Sequence, residues 1–228
     1  MNARPPRTIA ASLALLLLII GGGCGKSSTT SSTTPVNRDT PKAVAKTLFQ
    51  AMYDGDRKTA AECITSGPGQ ADALEGSTVV TVGMRKATDA MVKRWGTKEV
   101  EKQLGPVDVT RIDPRLIDEG KETITGNTAT IKTTKQTQTI QLTKGDDGWR
   151  VDLAKTLNLD EKLLTMAKPM FTAMGKAGEE VAAEVEAGKY NNMVEGVNAL
   201  KARIQQSIQN EQKRMIDELK KSQPAPPR

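Results

Sequence analysis

Between residues 107 and 153 the apolar positions recur at every second residue, a pattern that the rest of the chain does not sustain. Ala129 and Ile131 alternate with Thr128, Thr130 and Lys132. Ile140 and Leu142 alternate with Thr139, Gln141 and Thr143, and Trp149, Val151 and Leu153 alternate with Arg150 and Asp152. A period of two with one apolar side is the pattern of an antiparallel sheet that is buried on one face and wet on the other. Gly126-Asn127 and Gly145-Asp146-Asp147-Gly148 read as the turns between strands. Val107 and Val109 are expected to open a strand, Asp113-Pro114 to interrupt it, and residues 116–124 to form the next. The threonines suit a pleated, half-buried surface.

On either side of this stretch the period is helical. Thr40 suits an N-cap and Pro41 the first helical position. Val44, Leu48 and Met52 follow at i, i+4 and i+8, with Ala45 and Phe49 beside them. Asp54-Gly55-Asp56 breaks this helix, residues 57–64 form a second short one, and Gly67-Pro68-Gly69 is a loop. Val79, Val80 and Val82 read as a strand. Residues 84–95 read as a helix carrying Met84, Ala87, Met91 and Trp95 on one face, which Gly96 ends or bends. Residues 98–104 add a helical turn or two before Gly105-Pro106.

Beyond Leu153, Asn158 or Asp160 is expected to cap a helix that Pro169 ends or kinks. Gly175 and Gly178 weaken the continuation. Residues 189–221 carry a better stripe: Met193, Val197, Leu200, Ile204, Ile208 and Met215, opposite Glu, Lys, Arg and Gln. The stripe either packs back on the domain or meets a partner or a second copy. Residues 222–228 read as a disordered end. The fold class is α+β: N-terminal helices packed on a curved antiparallel sheet, followed by a helical C-terminal region.

Composition narrows the chemistry. The chain carries +6, with basic and acidic residues interleaved. A nucleic-acid binder needs a basic stripe or stacking aromatics among basic residues, so nucleic acid is excluded as a partner. There is no histidine, which removes the commonest general acid/base and metal ligand. Asp54-Gly55-Asp56 lacks the further oxygens of a calcium loop. No cofactor and no metal are called for. Aromatic content is 3%, so the core is aliphatic, and Phe49, Met52, Trp149 and Val151 are its candidates, or those of a pocket. Cys63, beside Ala60, Ala61 and Ile64, reads as a small buried hydrophobe.

The N-terminus sets the address. Arg4 and Arg7 precede an apolar run over 9–20, then Gly21, Gly22, Gly23 and Cys24. This is the pattern of a secretory signal, too short to span a bilayer before its glycines. The small residues before a cysteine resemble a bacterial lipobox, although Gly21 stands where that family usually carries Leu. The resemblance implies cleavage between Gly23 and Cys24, and acylation of Cys24. Acyl chains bind a bilayer at roughly 0.8 kcal/mol per buried methylene. The implied partner is therefore the lipid bilayer and the location the bacterial envelope, facing the periplasm or exterior. In bacteria with two membranes, Gly25 after the cysteine favours the outer one. Residues 26–39 are a Ser/Thr-rich tether with almost nothing apolar to bury.

Thr40-Pro41 through Phe49, Ala51-Met52-Tyr53-Asp54-Gly55-Asp56, residues 127–132 and Asp147-Gly148-Trp149-Arg150-Val151-Asp152 follow a recognisable order. Over about 41–153 the chain resembles the nuclear transport factor 2-like, or cystatin-like, fold, and more narrowly the domains of unknown function found in bacterial lipoproteins. The resemblance implies a cone-like sheet around the first helix. Enzymes of this fold, such as ketosteroid isomerases and scytalone dehydratase, place Asp, His or Tyr in the cone. Here both tyrosines read as helical, and Asp108, Asp113 and Asp152 are the acids of the strand region. Asp113 reads as a turn residue, and alternation turns Asp152 to solvent. The expected role is a non-catalytic domain that binds a small apolar ligand or an envelope protein. The alternatives are an isomerase-like enzyme using an Asp in the cone pocket, or an assembly module that self-associates through 189–221. The expected divisions are 1–23 signal, 24–39 tether, 40–155 α+β domain, 156–221 helical region and 222–228 tail.

Overall fold

The computed structural model describes residues 36–104, 114–133, 139–159 and 161–221. Helix α1 (Pro41–Asp54) starts where Thr40, in extended backbone, accepts a hydrogen bond from Ala43 N at 3.3 Å, with Pro41 in its first turn. It ends at Gly55, whose φ of 78° is left-handed and suits a residue without Cβ. Asp56 then caps α2 (Arg57–Glu62) by accepting from Thr59 N at 3.1 Å.

Helix α3 (Gln70–Trp95) is 26 residues long, or about 39 Å. The strand expected at Val79–Val82 is therefore corrected to helix, as is the start expected at Met84. The buried positions Ala73, Gly76, Val80, Gly83, Ala87 and Ala90 recur every three or four residues. That long helical face overrides the β preference of three valines. Helix α4 (Thr97–Leu104) follows Gly96.

Helix α5 (Pro114–Glu119) replaces the first part of the strand expected over 116–124. It opens on a proline, which suits the first helical position, and buries Ile117. Val107, Val109, Asp108 and Asp113 lie outside the described residues.

Strands β1 (Lys121–Thr125), β2 (Thr128–Lys132), β3 (Thr139–Gly145) and β4 (Gly148–Val151) form an antiparallel sheet in that order. Ile131 faces Ile140 and Leu142 faces Val151 across the ladders. One face buries Ala129, Ile131, Ile140, Leu142, Trp149 and Val151 together with Val44, Leu48 and Met52 of α1. The outer edge of β4 is covered: Val151 N donates to Cys63 O at 2.8 Å, and Thr65 N to Val151 O at 2.9 Å.

Helix α6 (Leu153–Leu157) closes this half, with Asn158 as its left-handed C-cap. Helix α7 (Glu161–Glu186) runs unbroken through Pro169, Gly175 and Gly178, where the sequence pointed to a break and weak points. The reason is its neighbour. A Cβ at Gly83 would lie 2.1 Å from Gly175 O, one at Gly175 2.5 Å from Val79 O, and one at Gly178 2.6 Å from Gly83 O. These glycines let the backbones of α3 and α7 touch, a geometry no side chain permits. Helix α8 (Met193–Lys221) lays Met193, Val197, Leu200 and Ile204 into a second core with Met91, Phe171, Met174, Val181 and Val185.

The described residues thus form two cores. One joins α1, α2, the start of α3 and the sheet; the other joins the rest of α3 with α4, α7 and α8. Leu159 packs against both. No helix among the described residues is long and apolar enough to cross a membrane.

Candidate functional site

Residues 36–40 lie beside the β3–β4 turn. Trp149 N donates to Arg38 O at 2.9 Å, which stitches residues 36–40 to β4. Arg38 Nη1 reaches Asp147 at 3.1 Å, while its Nη2 and Nε donate to the Glu62 carbonyl at 2.9 and 3.2 Å. Arg150 also donates to Asp147, and its Nη1 to the Ile64 carbonyl at 3.2 Å. One carboxylate thereby receives two guanidinium groups that anchor the end of α2. The Arg150 hydrogen bond, with Arg38 nearby, holds Asp147 below the usual carboxylate range.

A cleft of about 530 Å³ opens between α2, the start of α3 and Arg150. Ala61, Ile64 and Leu74 give it an apolar floor, and Arg57, Arg150 and Gln70 give it polar walls. Its volume falls in the range of small-ligand sites. Glu75 also lines it and is held by Lys168 at 2.7 Å. That contact keeps Glu75 below its ordinary range. Cys63 is buried, and burial pushes its thiol up to about 12. A thiol so rarely ionised is a poor nucleophile.

Gln70 is 7% exposed and ties the cleft to the sheet. Its Nε2 donates to Asp152 Oδ1 at 3.3 Å, and its Oε1 accepts from Leu153 N at 3.1 Å. Asp152 also accepts from Lys155 N at 3.1 Å as the N-cap of α6. The solvent-facing position read from strand alternation is therefore wrong: Asp152 is buried, because β4 ends at Val151 and the next residue belongs to a helix start. Burial alone would raise its pKa, but hydrogen bonds from the Lys155 side chain and N–H, and from Gln70, outweigh it and hold the carboxyl low.

The other predicted residues fall as follows. Met52, Trp149 and Val151 are buried in the sheet-side core, and Phe49 packs against it partly buried. The structure brings the four together as core, and none of them lines the cleft. Gly23 and Cys24 lie outside the described residues. Asp54 accepts from Gln50 and Asp56 caps α2. Tyr53 lies in α1, whereas Tyr190 lies in the α7–α8 connection rather than in a helix. Its hydroxyl bonds Glu184, and burial with that bond pushes it up to about 12. Sequence reasoning missed Arg38, Arg57 and Gln70. The Gly67-Pro68-Gly69 stretch was legible as a loop, but nothing in the sequence pairs Gln70 with a residue 82 positions on.

Comparison with known proteins gives no matching family model, no matching curated protein and no matching solved structure.

Proposed function

We propose that this chain is a bacterial envelope lipoprotein, anchored by acylated Cys24, whose folded part binds a small apolar ligand or an envelope protein without catalysing a reaction. The observation that carries the proposal is the run of 9–24: a short apolar segment, three glycines and a cysteine, followed by a Ser/Thr-rich tether. On this reading the folded part is a nuclear transport factor 2-like cone, with α1 against the concave face of the sheet and a helical extension beyond it. The packing of α1 on one sheet face supports that reading. A binding role is supported by the cleft, which has an apolar floor and few polar groups.

A non-catalytic role is supported by the chemistry of the side chains. The chain has no histidine. Asp152 is held low by its hydrogen bonds and serves as a helix cap. A general base needs a pKa near the working pH and reach to a substrate proton.

Fractionation tests the proposal. In a bacterial host the wild type is expected with the membranes and Cys24→Ala in the soluble exported fraction. Recovery of both in the cytosol contradicts it.

A further inference from the structure

We propose that the outward face of the sheet binds an acidic polysaccharide. This is a second binding surface, apart from the cleft, and it rests on the reading above only for where such a polymer is met. The outward positions of all four strands hold Thr, Gln, Gly, Lys and Arg, and no Asp or Glu. Thr125, Thr128 and Thr143 form one row across three strands, and Thr123 and Thr130 begin the next. Strand spacing places neighbours in a row about 4.8 Å apart and successive rows about 7 Å apart. Each hydroxyl both donates and accepts, and every one of these threonines is exposed or half-buried.

At the end of these rows Lys121 stands directly opposite Lys132. Their Cβ atoms are about 4.5–5.5 Å apart, and like charges so placed repel. Both are exposed, and neither meets a carboxylate among the described residues. An anion between them turns that repulsion into attraction. Hydroxyl rows beside a bare cation pair match a chain rich in hydroxyls and bearing acid groups. A membrane surface fits less well, because the face offers no outward aliphatic or aromatic residue. Single-stranded nucleic acid fits less well too, since it needs stacking aromatics.

The test uses the full chain in mild detergent and follows its binding to polygalacturonate. Dextran, single-stranded DNA and mixed micelles containing phosphatidylglycerol serve as competitors. Polygalacturonate is expected to bind and to raise the melting temperature, and dextran to do neither. The double variant Lys121→Gln with Lys132→Gln is expected to bind about tenfold more weakly. Its unliganded form is expected to be at least as stable, because the repulsion is gone. Lys201→Gln with Lys213→Gln removes the same charge from exposed positions on α8 and is expected to leave binding unchanged. The proposal is overturned if the wild type does not bind polygalacturonate, if both double variants weaken it equally, or if DNA or the micelles bind more tightly. Acylation plays no part in this measurement, so a failure here and a failure of anchoring are told apart.

Discussion

Several charges around α7 are paired: Lys86 meets Glu179, Arg203 meets Glu180 and Glu184, and Lys168 meets Asp72 and Glu75. On the outward sheet face Lys121 stands opposite Lys132, and neither forms an ion pair with a carboxylate among the described residues. The small residues divide the same way. In the helical half Gly83, Gly175 and Gly178 bring two backbones into contact. In the sheet half, aliphatic side chains and Trp149 fill the core. The helical half is built as a close-packed strut laced with ion pairs. The sheet half carries the cleft and the exposed polar face. Binding is therefore expected at the sheet end, and α3, which sends Leu74 into one core and Met91 into the other, joins the two.

The sharpest test of that division uses the two tryptophans as reporters, since Trp149 lies in the sheet-side core and Trp95 packs on the helical one. Trp149→Ala is expected to destabilise by about 3–5 kcal/mol, measured by denaturant unfolding. Because α3 is shared, the Trp95 signal is expected to shift with it. An unmoved Trp95 transition means that the halves unfold separately.

Gly83→Ala drives a methyl into the Gly175 carbonyl. The expected loss is about 1–3 kcal/mol from overpacking, despite the better helix propensity of alanine. A gain in stability breaks the close-packing account of α7.

Gln70→Leu leaves Leu153 N–H without its acceptor and removes one donor to Asp152. The expected loss is about 1–3 kcal/mol, centred on the α3–α6 junction and read as faster amide exchange there.

Acid unfolding follows from Asp152. Its folded pKa lies below the unfolded value near 3.9. Its contribution is complete above that unfolded value and is lost as pH falls through the folded one. Asp152→Asn is expected to lower stability at neutral pH and to flatten the acid limb. A limb of unchanged steepness assigns the acid response to other groups.

The smallest effect is expected at the surface pair Lys86–Glu179, where Lys86→Ala changes stability by about 0–1 kcal/mol, and less in high salt.

What was legible in the sequence was local. The α1 cap, the Val44-Leu48-Met52 stripe and the β2–β4 alternation each depend on neighbours within a few residues, and each holds. What was missed depends on distant partners. Val79 to Val82 look like a strand until Gly175 lies against Val79. Gly175 and Gly178 look like weak points until α3 packs beside them. Asp152 looks exposed until Gln70 reaches it from the first turn of α3. The cleft was equally hidden, because Arg57 and Arg150 meet only through the fold. The α8 stripe was readable, and burial from Met193 to Ile204 assigns that part to the second core. Ile208 is only half-buried against that core.

The central claim is that Cys24 anchors this fold in a bacterial envelope, and fatty-acid labelling with intact mass analysis of the mature N-terminus tests it most directly. The account predicts label on the wild type, none on Cys24→Ala, and a mature chain that begins at an acylated Cys24 with residues 1–23 gone. An unlabelled wild type that retains residues 1–23 contradicts it.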